Sequence, residues 1–286
     1  MRRILLRILA ALLRWLRRSL AGMRAGGYED DPDLIAVWRP LTDLLREKNG
    51  YYHETVRRLF IAEDVEGVPC SLWDVSDGST VRWLWHRALR GRVAAGPARH
   101  PLVLDLGAND GCVGSMSLNL IQLGWSAVLV EPLDEMMALA RRNVAEHRRE
   151  GQDVLFCAFA LGDRDGESLF EAEVAQDVVR MEGHLTTTPS STTRPVRVVS
   201  VESFLAMEEV RALLDASDLV LLSLDIEGGE LAVMRGFLER GIHPDFVVIE
   251  HLRTDEEHDV LLAAHGYRKL GRVAFNDLYE RERTAA

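Results

Sequence analysis

The sequence predicts an α/β protein: a mostly parallel sheet with helices on both faces, preceded by an N-terminal helical region. Three observations carry this expectation. From Leu102 onward, short apolar runs alternate with stretches of helical spacing, as β-α repeats do. Those runs lack polar alternation, which marks strands covered on both faces. Finally, Leu104-Asp105-Leu106-Gly107-Ala108-Asn109-Asp110-Gly111 follows directly on Pro101-Leu102-Val103, and Val130-Glu131-Pro132 comes later, so two successive strands end in a glycine turn and in an acid.

The first element expected is a cationic amphipathic helix in residues 1–27. Ile4, Leu5, Ile8, Leu9, Leu12, Leu16 and Leu20 fall on one half of a helical wheel, and Arg3, Arg7, Arg14, Arg17 and Arg18 on the other. Its longest uncharged run, Ile8 to Leu13, is six residues, whereas a membrane-spanning helix needs about twenty and a signal-peptide core at least about seven. That composition suits a helix lying on an anionic membrane surface, with the protein cytoplasmic or peripheral on the cytoplasmic face. A helix docked on protein and an unstructured tail are the competing readings.

Residues 28–100 are expected to be mainly helical. Asp33 to Glu47, Glu54 to Phe60 and Val81 to Arg90 have helical spacing, and Trp38, Trp73, Trp83 and Trp85 cluster here. The region is a candidate acceptor lid or a layer packed on the sheet, with a linker at Gly91 to His100. Residues 101–286 form the catalytic domain. Strand Leu102 to Leu106, helix Cys112 to Leu123, strand Ala127 to Val130, helix Leu133 to Arg149 and strand Val154 to Phe159 follow one another. Strands at Ser168 to Glu171 and Val196 to Val201 flank a polar loop, Gly183 to Thr193. Strand Leu219 to Leu224, helix Leu231 to Arg240, strand Phe246 to Ile249 and a hairpin from Tyr267 to Leu270 and Val273 to Phe275 complete the pattern.

Composition narrows the function. The net charge is -11, yet seven of the 34 Lys and Arg residues and none of the 45 Asp and Glu lie in residues 1–27, leaving the remainder at -18. So acidic a body repels phosphate backbones, which excludes nucleic acid as a partner. Three cysteines, Cys70, Cys112 and Cys157, without a Cys-x-x-Cys or Cys/His cluster argue against structural zinc and for inert thiols.

The glycine turn is the sharpest signal. Glycine lets bare backbone approach a ligand at φ > 0, and an acid closing the next strand grips a ribose. A pyrophosphate site would read Gly-x-Gly-x-x-Gly. Asn109 replaces the middle glycine and Cys112 the last, so the turn suits a nucleoside ligand without phosphate, such as S-adenosylmethionine. The candidate cofactor residues are Asp105, Gly107, Ala108, Asn109, Gly111 and Glu131. Glu131 would accept the ribose hydroxyls. Asp105 would accept the Gly107 turn amides or the methionyl ammonium.

Asp225 and Glu227, two apart where a strand ends, would point to one side of it. With His251 after the next strand they are the catalytic candidates, able to take a proton from an attacking hydroxyl. Asp225 and Glu250 could instead hold Mg²⁺, since carboxylate oxygens suit a hard cation; the pattern assigns no residue to a metal. Glu230 reads as a cap of the following helix.

These residues resemble the FkbM family of S-adenosylmethionine-dependent methyltransferases. The resemblance rests on Leu104 to Gly111, Val130-Glu131-Pro132, Ala160-Leu161-Gly162-Asp163, Ser223-Leu224-Asp225-Ile226-Glu227-Gly228-Gly229-Glu230 and Val248-Ile249-Glu250, in the family's order across about Pro101 to Phe275. It implies a Rossmann-like class I methyltransferase sheet and methylation of a hydroxyl on a sugar, glycan, lipid-linked or other small-molecule acceptor. It also implies that Ala160 and Leu161 flank the adenine. Ser223 stands where the family often has lysine. Residues 1–100 match no motif of the family. A nicotinamide-dependent Rossmann oxidoreductase would share the acid after the second strand but needs the missing glycine triad; a catalytically silent cofactor-binding module is the third class.

Overall fold

The computed structural model describes residues 63–65, 68–70, 77–95 and 100–282, except 113–114, 146, 176–177, 251–255 and 274. The expected amphipathic helix of residues 1–27 and the helical stretches at 33–47 and 54–60 lie outside them. The chain divides into two compact units, Met1–Val75 and Ser76–Ala286. In the first, strands β1 (Glu63–Val65) and β2 (Val68–Cys70) pair antiparallel, Val65 opposite Val68. Among the described residues, no helix is long and apolar enough to cross a membrane.

The second unit opens with α1 (Asp77–Leu84), a π-helical turn (Trp85–Leu89) and α2 (Arg90–Ala95). These helices belong with the sheet: Leu84 and Leu89 are fully buried, and α1 packs on the neighbouring elements of this unit. Helix α2 occupies half of the stretch expected as a linker.

There follow β3 (Pro101–Leu106), α3 (Ser117–Gln122), β4 (Ser126–Val130), α4 (Asp134–Ala145), β5 (Val154–Cys157), β6 (Ala160–Gly162), β7 (Gly166–Ala175), β8 (Val178–Thr186) and β9 (Thr193–Ser200). The chain continues through α5 (Val201–Ala206), α6 (Glu208–Ala216), β10 (Leu219–Leu224), α7 (Glu230–Glu239), β11 (Phe246–Glu250), α8 (Glu256–Ala264), β12 (Tyr267–Val273) and β13 (Asn276–Arg281). Seven strands form one sheet in the order β12-β13-β11-β10-β3-β4-β5. The five strands β11, β10, β3, β4 and β5 run parallel, and β13 inserts antiparallel between β11 and β12.

Alternation within the apolar strands divides them between two covers. Leu102, Leu104, Leu106, Val128, Val130, Leu222, Leu224, Val247 and Ile249 share one core with Phe204, Val233, Phe237 and Leu262 from α5, α7 and α8. The aromatic rings of Phe159, Phe204 and Phe237 meet edge-on and tilted, with centroids 6.3 and 6.2 Å apart. On the opposite face, α3 packs on β3 and β4, and α4 on β5. Cys157 is an inert thiol of this core: burial, then the negative Glu209, pushes its pKa up to about 11.

A second sheet has the order β6-β9-β7-β8. Strand β8 reaches Thr186, so the polar stretch expected as a loop from Gly183 is strand for its first four residues. Leu185 explains this: it sits opposite Phe170, and both pack on the small core of Leu133, Ala160, Ala172, Val196 and Val198. The closing hairpin also differs from expectation. Its second strand is Asn276–Arg281, whose Asp277 is buried and neutralised by Arg272 and Lys269.

Candidate functional site

Strands β11, β10, β3 and β4 are neighbours, and the segments leaving their carboxyl ends carry Glu250, Asp225, the Gly107 turn and Glu131. The chain lays β4 and β5 on one side of β3, then β10 and β11 on the other. Strand order therefore reverses between β3 and β10, the position at which open α/β sheets form a ligand crevice.

Gly107 has φ 92, and a Cβ there would lie 1.7 Å from the carbonyl oxygen of Asp225. The bare position thus seats the β3 turn against the backbone leaving β10. This corrects the expectation that Gly107 is bare for a ligand: protein fills the space. Gly111 behaves likewise, at φ 68, with its missing Cβ facing Cα and Cβ of Ala140 at 3.0 Å. The amides of Gly107 and Ala108 both donate to the Val130 carbonyl, at 2.9 and 3.0 Å. Asn109, in the left-handed region at φ 49, donates its amide to Glu131 Oε2 at 3.2 Å.

Asp105 is 2% exposed. Its Oδ2 accepts from the Ser115 hydroxyl at 2.7 Å and the Ser117 amide at 3.0 Å. Of the turn amides expected to serve it, those of Gly107 and Ala108 go to Val130, and these two serine contacts make Asp105 secure the segment entering α3. Ser115 and Ser117 were not legible as its partners, because a contact ten residues away depends on how the turn closes.

Glu131 follows the last residue of β4 and is buried. Its Oε1 accepts from the Leu133 amide at 2.9 Å, and its Oε2 from Asn109. Burial outweighs those two amides, and the charges of Glu135 and Asp110 add to it, so the pKa is pushed up from 4.5 to about 7. A carboxylate offers about four lone-pair positions, so two acceptor positions remain for hydroxyl donors.

Ala160 and Leu161 lie in β6, 7% and 3% exposed. Leu161 packs in the main core and Ala160 in the small one. Their side chains serve packing, and the Ala160 cluster adjoins the Glu131 segment through Leu133.

Asp225 and Glu227 were expected at the end of an extended strand. The chain turns instead: Glu227 has φ 57 and Gly228 φ 122. Even so, Asp225 and Glu227 converge with Glu250, one carboxylate oxygen of each lying within 4.8 Å of the others. The sequence suggested Glu250 only as a partner for a cation; its place at the end of β11 was the signal for a fuller role. His251, the third catalytic candidate, lies outside the described residues. Asn276 stands in register with Glu250, and its Nδ2 donates to Thr80 Oγ1 at 3.2 Å, which fastens α1 beside the acids. Three carboxylates so placed can accept a hydroxyl, take its proton or ligate a hard cation.

A family model of the methyltransferase FkbM domain matches residues 105–269. No curated protein matches the chain. Among solved structures, the chain is similar to magnesium protoporphyrin IX methyltransferase from Synechocystis PCC 6803 with bound S-adenosylmethionine, at 13% identity and a TM-score of 0.38 over 71% of this chain and 77% of that one. It is also similar to a hypothetical protein of Thermus thermophilus, at 19% identity and a TM-score of 0.40 over 75% of this chain and 91% of that one.

Proposed function

The chain belongs to the FkbM methyltransferase family and is an S-adenosylmethionine-dependent methyltransferase, and we propose that it methylates a hydroxyl oxygen of a sugar, glycan, lipid-linked or other small-molecule acceptor. The observation that carries this reading is the convergence of Asp225, Glu227 and Glu250 within 4.8 Å at the strand-order reversal, two strands from Glu131. Oxygen nucleophiles need a proton acceptor as they attack, and carboxylates supply one.

Bound S-adenosylmethionine supplies a methyl group on a positive sulfonium, a strong donor without further activation. Glu131 would accept the ribose hydroxyls on its remaining lone pairs, and the turn from Ala108 to Gly111 would hold the methionyl end. Asp225 would orient the acceptor hydroxyl toward the bound donor and, as that oxygen is methylated, would take up the hydroxyl proton. Much of the acceleration then comes from positioning, with Asp225 as base. Glu227 and His251 are the other candidates for that base.

The test begins with the donor. S-adenosylhomocysteine should raise the melting temperature by binding only the folded state, and NAD should not. Glu131→Ala should remove most of the shift. Hydroxyl donors favour the ionised carboxylate, so binding to a free protein with Glu131 near 7 must expel a proton at lower pH. Affinity is therefore expected to be level above pH 7 and to fall by up to about tenfold for each pH unit below it. Affinity that does not change with pH, or a shift with NAD alone, would overturn this assignment. Labelled donor incubated with a panel of hydroxylated acceptors then identifies the second substrate.

The Arg-rich segment of residues 1–20 supports attachment to an anionic membrane surface on the cytoplasmic side. The full chain should sediment with vesicles containing anionic lipid and be released by salt, while a protein starting at Tyr28 should remain in the supernatant. Equal sedimentation of the two would remove the attachment.

A further inference from the structure

The turn that carries Asp225 and Glu227 brings three carboxylate oxygens, with that of Glu250, within 4.8 Å of one another. Glu227 sits at φ 57, a strained conformation for a non-glycine residue that persists only when its surroundings over-determine it. Two restraints come from β3: the Asp225 amide donates to the Leu106 carbonyl at 3.0 Å, and the Asp225 carbonyl fills the notch left by Gly107.

The third restraint is a side chain. Glu230 is 2% exposed, and its carboxylate turns back out of α7 toward the preceding turn. It accepts from the Ile226 amide at 3.2 Å and from the Gly228 amide at 2.9 and 3.1 Å. Ile226 and Gly228 flank Glu227, so the backbone amides of both neighbours of the strained residue end on one carboxylate. A helix cap would satisfy amides within α7; these two lie ahead of it.

We infer that Glu230 is the positioning residue of the transferase site, a buried carboxylate that clamps the turn so that Asp225, Glu227 and Glu250 converge. The role in turnover rests on the reading of Asp225 as base. Oε1 takes both amides and Oε2 only the second Gly228 contact, so a glutamine at 230, which keeps one acceptor oxygen, sets an NH₂ against the Gly228 amide and takes the charge from the bonds that remain.

The experiment compares the full chain with Glu230→Gln. Affinity for S-adenosylhomocysteine should stay within a few-fold, because Glu131 and the Gly107 turn keep their own contacts. Hydrogen–deuterium exchange in the peptide 225–230 should accelerate about tenfold or more, the scale of one lost charge-assisted hydrogen bond. A crystal structure of the variant should show the three carboxylate oxygens separated beyond their present 4.8 Å. Turnover with an acceptor from the panel should fall about tenfold or more, with the acceptor KM moving less. Unchanged exchange, or retained convergence in the crystal, overturns the clamp. Faster exchange with full turnover overturns the positioning role. Full turnover in Asp225→Asn instead overturns the reading of the base, and it is seen in a different variant. Should Glu230→Gln fail to fold, Glu230→Asp, which keeps the charge and shortens the reach, carries the same comparison.

Discussion

Gly107→Ala is expected to destabilise the protein by about 3 kcal/mol or more, among the largest single-residue effects available in this fold. The added Cβ would stand 1.7 Å from the carbonyl oxygen and 2.7 Å from the carbonyl carbon of Asp225. Neither is the tip of a flexible side chain; both are backbone held by the Asp225 amide bond to Leu106. Moving Gly107 away is no easier, since its amide and that of Ala108 share the Val130 carbonyl. Alanine would in addition be forced into φ 92, a conformation that glycine adopts without steric cost. Gly91 provides the contrast. It lies within α2, and a Cβ there meets nothing within 4 Å, so Gly91→Ala should stabilise by up to about 1 kcal/mol through helix propensity. Urea denaturation of both variants measures the difference. A Gly107→Ala protein within about 0.5 kcal/mol of the parent, the range of an ordinary surface substitution, would mean that the two turns are not interlocked.

Asp225→Asn is expected to lower turnover by about two orders of magnitude while leaving affinity for S-adenosylhomocysteine within a few-fold. Asparagine keeps the shape and one acceptor oxygen of aspartate, so it can still orient a hydroxyl, but it cannot take up the proton. The loss corresponds to about 2.7 kcal/mol of transition-state stabilisation. Glu227 and Glu250, each with an oxygen within 4.8 Å of the cluster, limit the loss if either accepts the proton instead, and the double variants Asp225→Asn with Glu227→Gln or Glu250→Gln measure that substitution. Single-turnover rates with an acceptor from the panel are the readout. If a chelator abolishes activity and Mg²⁺ restores it, Asp225 acts as a metal ligand and not as a base. Full activity of Asp225→Asn without added metal would leave positioning alone to explain the rate.

Much of the central sheet was legible because its strands are nearly pure apolar runs. Leu102 to Leu106 and Leu219 to Leu224 can hardly be anything but buried parallel strands. The edges were not legible. Strand β13 contains Asn276 and Asp277, both buried, and reads as polar until Arg272 and Lys269 arrive from β12 to pair with Asp277. Helix α5 carried a readable signal, since the Ser200 hydroxyl accepts from the Ser203 amide as an N-cap, yet it follows β9 without a break and merges with that strand's apolar run. The polar stretch after Gly183 looked like a loop because the inward-facing Leu185 is a single apolar residue, and only its cross-strand partner Phe170 makes a strand of it.

At the site, residue types and their order alone determined which acids end which strands: Glu131 after β4, Asp225 after β10 and Glu250 at the end of β11. Those are local facts, set where an apolar run stops. Tertiary structure decided what the local facts mean. It assigned the Asp105 carboxylate to Ser115 and Ser117, gave the bare face of Gly107 to the Asp225 carbonyl, and buried the side chains of Ala160 and Leu161 in two cores. It also drew Asp225, Glu227 and Glu250 together through a left-handed residue that Glu230 restrains. The physical reason is one of range. A strand and the residue that ends it follow from neighbours in sequence, whereas a close approach between turns depends on sheet order, and two of the four strands that meet here are separated by more than a hundred residues.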